Sequence, residues 1–373
     1  MATALENIRI LDFSRVLAGP LATMVLADLG AEVIKIERPN IGDDTPAWGP
    51  PYDERGEATY FQSVNRNKTS EAIDLTTPAG AARARELVLT ADVVVENFRP
   101  GVMHKLGLDY ATLRQSNQGL VYCSITGFGT GEGAALPGYD LLVQALGGLM
   151  SITGTPDGEP QKAGVALVDV ITGLFASVGI LAALRHRERT GEGQIVEVDL
   201  LSSLLAALVN QGSAYTLAGA VGRRLGNAHP SIAPYELYPT GDGDLVLAVG
   251  NDKQFGALCN VVGLDVDPLF ATNASRVESR DALREVLVTA LAGRSASEWV
   301  SSLSEVGVPA GQVNDIAGAF AFADSLGLQP TIDVPREDGT VARLTRNPIA
   351  MSATPPTYRC APPTLPDEAS ADS

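Results

Sequence analysis

Two aspartates, Asp140 and Asp169, carry the side chains that most readily suggest chemistry in this chain. Asp140 follows Gly138-Tyr139, and Asp169 lies inside the apolar run Val168-Asp169-Val170-Ile171. A carboxylate bracketed by apolar residues is costly to keep charged in a protein interior unless it is paired or takes part in a reaction. Asp169 is therefore the candidate nucleophile.

A helix cap is the other interpretation of each aspartate. An apolar helical pattern starts right after Asp169 and another, at 141–149, follows Asp140, and Asp is among the favoured N-cap residues. For Asp169 the two roles are compatible, because a helix N-terminus stabilises a carboxylate and its N–H groups could help to hold an oxyanion. From spacing alone, both interpretations stay open.

The other reactive side chains are few. The chain has three histidines and three cysteines; no histidine lies near another or beside a serine or cysteine in a recognisable motif, and no two cysteines have CxxC spacing. This argues against a histidine-based triad, a metal site and a disulfide framework. We expect no metal, and we expect carboxylates to carry the chemistry.

Charge and hydropathy limit the partners. The net charge is −17, from 44 acidic and 27 basic side chains, which disfavours binding to nucleic acid or to an anionic membrane. An anionic ligand would need local Arg and Lys. We identify no N-terminal leader and no stretch of the roughly 18 apolar residues that a membrane span needs. We therefore expect a soluble protein of the reducing cytoplasm, with no nucleic-acid or membrane partner.

The N-terminal part must position these side chains, and it alternates short strands with helices. Such alternation predicts an α/β fold, a Rossmann-like, doubly wound parallel sheet with helices on both faces. Ligands of such sheets lie beyond the carboxyl ends of the strands, here the turns at 14–19, 37–38, 96–99 and 126–129. The predicted strands are 8–13, 32–36, 91–95 and 120–125, and the predicted helices are 21–29, 79–89 and 110–116.

The chain is long enough for two domains, at 373 residues with 45% hydrophobic content. Apolar helical patterns at 169–185 and 200–217, with a strand at 194–198 between them, close a large domain over 1–218. We predict a linker at 219–240, a smaller α+β domain at 241–314, a segment at 315–360 that returns to the large domain, and a disordered Pro-, Asp- and Ser-rich tail at 361–373.

Five short motifs carry a family resemblance. Taken in order, they resemble the class III coenzyme A transferases, the family that includes formyl-CoA transferase, carnitine CoA-transferase and α-methylacyl-CoA racemase. The resemblance covers nearly the whole chain. The motifs are 11–20, 29–39, Asn65-Arg66-Asn67-Lys68, Glu96-Asn97-Phe98-Arg99-Pro100-Gly101 and Gly127-Phe128-Gly129.

The resemblance implies that Asp169 is the nucleophile and that Asp140 assists near the acyl group. Asp169 would attack a donor acyl-CoA thioester to give an aspartyl anhydride, then an aspartyl-CoA thioester, which the acceptor acid takes over. No cofactor is implied beyond the CoA that the substrate brings. The resemblance also implies a homodimer of interlocked rings.

Positions that bind CoA in the family can be carried over one by one. Val16 and Ala18 would contribute their backbone, Arg38 and Lys105 would contact phosphates, and Asn97 and Phe98 would line the path of the nucleotide or pantetheine. For any single Arg or Lys, a solvated surface charge is the other interpretation. The full set of implied CoA-binding residues is Val16, Ala18, Arg38, Asn65, Lys68, Asn97, Phe98, Arg99, Lys105 and Tyr139.

Three positions bear on the reaction and the substrate. Racemases of the family carry His where this chain has Tyr139, and a tyrosine with its ordinary pKa near 10 is a poor acid or base at neutral pH. Transfer is therefore favoured over racemisation of a 2-methylacyl-CoA; a non-catalytic CoA-binding protein is the third hypothesis. The formyl-transferring members have Gln at Leu17 and Lys at Thr126, so these departures argue against formyl or oxalyl substrates.

Within the family, residues 226–235 and 250–255 look closest to the succinyl-CoA:glutarate type of transferase. The acceptor would then be a dicarboxylic acid, whose distal carboxylate needs hydrogen-bond donors. The candidates are Arg15, Asn227, His229 and Ser231, although ordinary turn chemistry explains Asn227 and His229 equally well. After Pro362-Pro363 the chain departs from the family, which has a last helix there.

Overall fold

The computed structural model describes residues 2–365, and six parallel strands form its central sheet. The sheet order is β3-β2-β1-β4-β5-β6, so the chain changes direction between β1 and β4. Val93, Val94 and Val95 of β4 are fully buried, as expected for a strand covered on both faces. The strands are β1 (Arg9–Asp12), β2 (Glu32–Glu37), β3 (Lys68–Ala72), β4 (Val93–Glu96), β5 (Val121–Thr126) and β6 (Ile195–Asp199).

Helices pack on both faces of this sheet and enclose two apolar clusters. One cluster joins the first, eighth and ninth helices to the sheet, and the other joins the third to fifth helices to its opposite face. The helices are α1 (Ala18–Asp28), α2 (Thr59–Gln62), α3 (Pro78–Leu89), α4 (Val102–Lys105), α5 (Tyr110–Leu113), α6 (Asp140–Leu146), α7 (Leu149–Ile152), α8 (Leu167–Thr190), α9 (Leu200–Ala207) and α10 (Val209–Ala218).

Helix α8 has 24 residues and is apolar along most of its length. By length and composition it could cross a membrane, alone among the helices of residues 2–365, so the expectation that no segment reaches this threshold is wrong. One side of α8 packs against α1, β5 and β6, and Val168, Ala176 and Ile180 on that side are completely buried. This packing accounts for the apolar sequence of α8 as that of a core helix.

The chain divides into two compact units. The first contains residues 2–149, 163–220 and 329–365, and the second contains 150–162 and 221–328. A three-stranded antiparallel sheet, ordered β7-β8-β9, forms the second unit with its helices around Leu245, Leu287 and Trp299. Its elements are β7 (Tyr235–Pro239), β8 (Asp244–Ala248), α11 (Asp252–Val262), α12 (Asn273–Glu278), α13 (Arg280–Leu291), α14 (Ala296–Glu305), β9 (Ala310–Gln312) and α15 (Ile316–Ser325).

The unit boundaries differ from the predicted domains in three places. Residues 150–162 belong to the second unit instead of the first, because hydrogen bonds join them to it. Arg224 donates to the carbonyls of Thr155 and Gly158, and the N–H of Gly226 donates to the carbonyl of Gly154. The predicted linker contains β7, and α15 belongs to the second unit instead of the returning segment.

The returning segment forms an antiparallel hairpin in the first unit, β10 (Thr331–Pro335) and β11 (Val341–Thr345). Of the predicted disordered tail, 366–373 lies outside the described residues. Ala361 and Pro362, at the start of that tail, are buried.

Candidate active site

Asp169 is the third residue of α8, close to the start of α1. The helix begins at Leu167, and its N-cap is Ala166, which makes no side-chain capping bond. The interpretation of Asp169 as the N-cap is therefore wrong, because the helix begins two residues earlier. Gly173, one turn further on, allows the two helices to meet: a Cβ there would lie 2.6 Å from the carbonyl oxygen of Ala18.

Asp140, which belongs to α6, caps the N-terminus of α8. Its Oδ1 accepts the backbone N–H of Val168 at 2.8 Å and that of Asp169 at 3.2 Å. Asp140 is the first residue of α6, so the expectation that it caps its own helix is corrected: it caps another one. These N–H groups are already engaged, so the suggestion that the start of α8 holds an oxyanion loses its support.

Two glycines bring Asp140 to the carboxyl end of β5. A Cβ on Gly127 would lie 2.4 Å from the Cα of Gly138, so only glycines allow the two backbones to approach this closely. Tyr139 follows this contact with its side chain 65% exposed. The spacing of the Gly127-Phe128-Gly129 and Gly138-Tyr139-Asp140 motifs thus has a packing cause.

The pKa of Asp169 is raised to about 7, first by burial and second by the negative charge of Asp140. The apolar surroundings form one cluster that contains Leu17, Val16, Ala166 and Val170. A carboxylate with this pKa is half ionised near neutral pH and poorly stabilised by solvent, which are properties of a nucleophile.

Tyr60, on α2, belongs to the same apolar cluster and was not expected from the sequence. Burial and the charges of Asp169 and Asp140 raise its pKa, which keeps its hydroxyl protonated near the two carboxylates. Its ring packs edge-on against Trp48, with the centroids 5.5 Å apart. Tyr60 lies in a short helix with no motif, so only the fold brings it here.

The turn between β1 and α1 lies where the sheet order changes direction. Asn97, after β4, accepts the N–H of Arg15 at 2.9 Å and donates to the Arg15 carbonyl at 2.7 Å. The Arg15 guanidinium lies 5.4 Å from the centre of the Phe98 ring. The structure therefore brings together three of the predicted site residues.

A small cavity at this edge contains Arg15 and Arg38 among its lining residues. Both guanidinium groups also contact Asp44, at 3.3 and 3.2 Å. Glu37 and Asp43 also line the cavity, so a phosphate bound here would share the two guanidinium groups with acidic side chains. No motif in the sequence pointed to Ile73 or Leu75. The apolar lining consists of Phe13, Ile36, Ile73, Leu75 and Phe98.

Val16 and Ala18 present backbone groups in this turn. Val16 has a φ of 72°, an unfavourable conformation for a β-branched residue, and Asp43 accepts its N–H. Within residues 2–365, the N–H of Ala18, first residue of α1, makes no hydrogen bond to protein. This N–H is available to an anionic or carbonyl oxygen.

Asn65 and Lys68 support the turn from inside. Lys68 is 1% exposed, and its Nζ donates to Asp12, to the Pro20 carbonyl and to Asn65, all within 3.0 Å. These three contacts use all its donors, and Asn65 is completely buried. The structure therefore corrects the expectation that these two residues contact CoA.

The remaining predicted CoA-binding cations, Arg99 and Lys105, have exposed side chains. Two residues differ from the formyl-transferring members of the family. Leu17 lies in the apolar cluster beside Asp169, and Thr126 is the last residue of β5. Thr126 accepts the N–H of Gly129 and so holds the turn that follows β5.

The predicted contacts for a distal carboxylate lie in the second unit, except Arg15. The His229 Nδ1 accepts the N–H of Ser231 at 3.1 Å, and its ring packs on Tyr235. Asn273 and Arg276 fix the same loop through Ser231 and Ala233. Asn227 is exposed. When neutral, His229 therefore carries its proton on Nε2, because a lone pair on Nδ1 must receive the backbone N–H.

Within residues 2–365, no group of three or more His, Cys, Asp or Glu side chains could hold a metal ion. The cysteines Cys123, Cys259 and Cys360 are free thiols.

The chain is similar to known proteins over nearly its whole length. The family model described as CoA-transferase family III matches residues 5–368. A succinate–glutarate CoA-transferase of Agrobacterium fabrum is 47% identical over 370 residues, 97% of this chain and 92% of that protein. A succinyl-CoA:glutarate CoA-transferase of Mus musculus is 42% identical over 363 residues, 94% of this chain and 83% of that protein.

A solved structure has a similar fold. A CaiB/BaiF family protein from Brucella suis superposes with a TM-score of 0.86 at 42% identity, covering 98% of this chain and 97% of that one.

Proposed function

The chain belongs to CoA-transferase family III and is an enzyme that transfers CoA; we propose that it moves CoA from succinyl-CoA, or a similar acyl-CoA, to a dicarboxylic acid such as glutarate, through covalent intermediates on Asp169. The observation that carries this proposal is the Asp169 carboxylate, held at the start of α8 in an apolar cluster that raises its pKa to about 7.

The substrates are proposed from the relatives and from local chemistry. The two curated relatives described above act, by their names, on succinate or succinyl-CoA and on glutarate. Arg15 in the first unit, and Asn227, His229 and Ser231 in the second, are each proposed separately as a donor to the distal carboxylate of such acids. Leu17 provides an apolar surface where the formyl-transferring members have an amide.

The reaction would proceed by four acyl transfers. Asp169 attacks the thioester carbonyl, and the C–S bond breaks to give an aspartyl anhydride and CoA thiolate. The thiolate attacks the aspartyl carbonyl, which releases the donor acid and leaves an aspartyl-CoA thioester. The acceptor carboxylate attacks the carbonyl of the aspartyl-CoA thioester and releases the thiolate, which leaves a second anhydride between Asp169 and the acceptor. The thiolate then attacks the acceptor carbonyl, which forms the product thioester and frees the Asp169 carboxylate. Each step exchanges one activated acyl bond for another, so no external energy source is needed.

Other residues would bind and orient the reactants. The free N–H of Ala18 is the donor we assign to a developing oxyanion. Arg38, Asn97, Phe98 and the backbone of Val16 would hold CoA. Arg99, Lys105 and Tyr139, whose side chains are exposed, would complete the CoA contacts.

The experiment is a screen of acceptor acids against succinyl-CoA, with the CoA esters resolved by mass spectrometry. We expect CoA transfer to glutarate and related dicarboxylates at rates well above those for formate or oxalate. A preference for formate or oxalate would contradict the substrate proposal. No transfer to any acid, with tight CoA binding retained, would instead indicate a non-catalytic CoA-binding protein.

Racemisation is tested separately. In deuterium oxide, a racemase would incorporate deuterium at the α-carbon of a 2-methylacyl-CoA without any acceptor acid. We expect no incorporation, because Tyr139 stands where the racemases have His. Rapid incorporation would overturn the assignment of transfer as the main activity.

We also propose that the enzyme is a cytoplasmic homodimer, interlocked as the family suggests. Within the first unit, α8 to α10 expose several large apolar side chains, which are unfavourable in water unless a partner covers them. Examples are Val178, Val209, Tyr215 and Leu217, exposed by 62%, 69%, 63% and 87%.

A further inference from the structure

We propose that Gln144 is a positioning residue that fixes the Asp140 carboxylate and, through it, sets the protonation of the Asp169 nucleophile. The proposal rests on the proposed function of Asp169. Gln144 belongs to none of the motifs that identify the family, and the sequence alone gives no reason to select it.

Both ends of the Gln144 amide are engaged inside the protein. Gln144 lies one helical turn after Asp140 on α6 and is completely buried. Its Nε2 donates to the Oδ2 of Asp140 at 2.6 Å, and its Oε1 accepts the N–H of Ala163 at 2.8 Å. A buried amide is costly unless it is hydrogen-bonded, so these two contacts fix its orientation.

Gln144 completes the set of donors around Asp140. The N–H groups of Val168 and Asp169 donate to Oδ1, and among residues 2–365 Gln144 is the one donor to Oδ2. These three donors hold the carboxylate in one orientation. Without the amide, Oδ2 loses this donor, and the carboxylate is free to rotate away from the start of α8.

Asp140 is the charge that acts on Asp169. Burial raises the pKa of Asp169 most, and Asp140 is the one further cause among residues 2–365. Tyr60, on α2, faces both carboxylates but stays neutral. The titratable groups of the other elements packed on α8 are paired, exposed or neutral. Asp28 of α1 pairs with Arg66, and Asp199 of β6 caps α9. Glu197 of β6 is exposed, and burial raises the pKa of Tyr122 and Cys123 of β5, which stay neutral.

The test is the pH profile of kcat/KM for Gln144→Met, which keeps the side-chain length but removes both hydrogen bonds. An Asp140 carboxylate that rotates away from the start of α8 places less negative charge near Asp169. The acid limb should therefore move to lower pH by about half a unit. On that limb the ionised fraction of Asp169 would then be about threefold higher than in the unmodified enzyme. The plateau rate should fall, because the start of α8 is held less well.

Ser177→Ala is the matched control. It also removes a buried side-chain donor from this region, the Ser177 hydroxyl that faces the carbonyls of Gly173 and Ala22, and it contacts neither aspartate. The acid limb should stay in place. In the Asp140→Asn background, Gln144→Met should cause no further shift, because the charge through which it acts is gone.

Three results would overturn the proposal. They are an unmoved acid limb in folded Gln144→Met, an equal shift in Ser177→Ala, and an additive shift in the double variant. If Gln144→Met does not fold, Gln144→Asn is the second variant: it keeps an amide that is too short to reach both partners, and the same direction of shift is required. Absence of CoA transfer in the unmodified enzyme would contradict the proposed function itself, which separates the two failures.

Discussion

At the scale of a residue, the raised pKa of Asp169 predicts how the rate depends on pH. The nucleophile must be ionised, and burial together with Asp140 raises its pKa to about 7. We therefore expect kcat/KM to fall about tenfold for each pH unit below that value. The measurement is a pH–rate profile with succinyl-CoA and glutarate. An acid limb near pH 4, the ordinary range for an aspartate, would show that the carboxylate is not desolvated in solution.

The same carboxylate should destabilise the folded protein. Folding raises its pKa from an ordinary value of 3.8 to about 7, so between these pH values the folded state holds a proton that the unfolded state has lost. The free energy of unfolding therefore decreases as pH rises through this window, and the loss is complete above it.

Asp169→Asn should remove this penalty, because the amide carries no charge. We expect the variant to be inactive yet more stable than the unmodified protein at pH 8, by about 1–3 kcal/mol. Thermal or urea unfolding at pH 8 and at pH 4 measures the difference, which should shrink at the lower pH. A variant that is less stable at pH 8 would contradict this account of burial.

At the scale of an element, the contact between Gly127 and Gly138 carries the second aspartate to the end of β5. Gly127→Ala would force the backbones apart, because its Cβ would lie 2.4 Å from the Gly138 Cα. We expect kcat to fall at least tenfold and the protein to be destabilised by about 2 kcal/mol or more.

Gly131→Ala is the control for this substitution. A Cβ at Gly131, in the same connection between β5 and α6, has no heavy atom within 4 Å. Its activity and melting temperature should therefore stay close to those of the unmodified enzyme. Equal losses in both variants would indicate that the connection tolerates no side chain for reasons other than the glycine contact.

The sequence predicted the elements whose hydrophobic pattern is strong. The strands β1, β2, β4 and β5 were found within a few residues, because each is a short apolar run between turn residues. Strand β3, Lys68–Ala72, was missed because its sequence, Lys-Thr-Ser-Glu-Ala, has no apolar run. Its residues pair with β2 through the backbone, Ser70 also donates to the Glu37 carboxylate of β2, and the buried Lys68 is stabilised by Asp12.

The candidate site residues selected from the sequence lie in motifs, whereas residues such as Tyr60 are brought to the candidate site by packing alone. Asp140 and Asp169 were identified as reactive candidates, yet their hydrogen bonds were not, since a cap supplied by another helix leaves no local spacing. Lys68 shows the opposite case: it lies in a family motif, but burial gives it a supporting position. The family membership inferred from the motifs is confirmed.

At the scale of the whole molecule, the exposed apolar side chains of α8 to α10 predict a dimer. Val178→Asp places a charge on this surface, and Val178 is 62% exposed within the chain. We expect sedimentation equilibrium to give twice the mass of the chain for the unmodified enzyme and a large monomer fraction for the variant.

Glu188→Lys is the matched control for the dimer. Glu188 lies on the same helix, and its side chain is exposed in a pair with Arg185. This substitution changes charge without touching the apolar surface, so the dimer should persist. A monomeric unmodified enzyme with full activity would contradict the proposal that a second copy covers these side chains.

The central claim is that Asp169 becomes acylated and then carries CoA. The most direct measurement is incubation with succinyl-CoA followed by hydroxylamine, which converts an activated aspartyl group into a hydroxamate that peptide mass spectrometry can locate. The account predicts modification at Asp169, dependent on succinyl-CoA and lost in Asp169→Asn. Turnover with an unmodified Asp169, or modification of a different carboxylate, would contradict it.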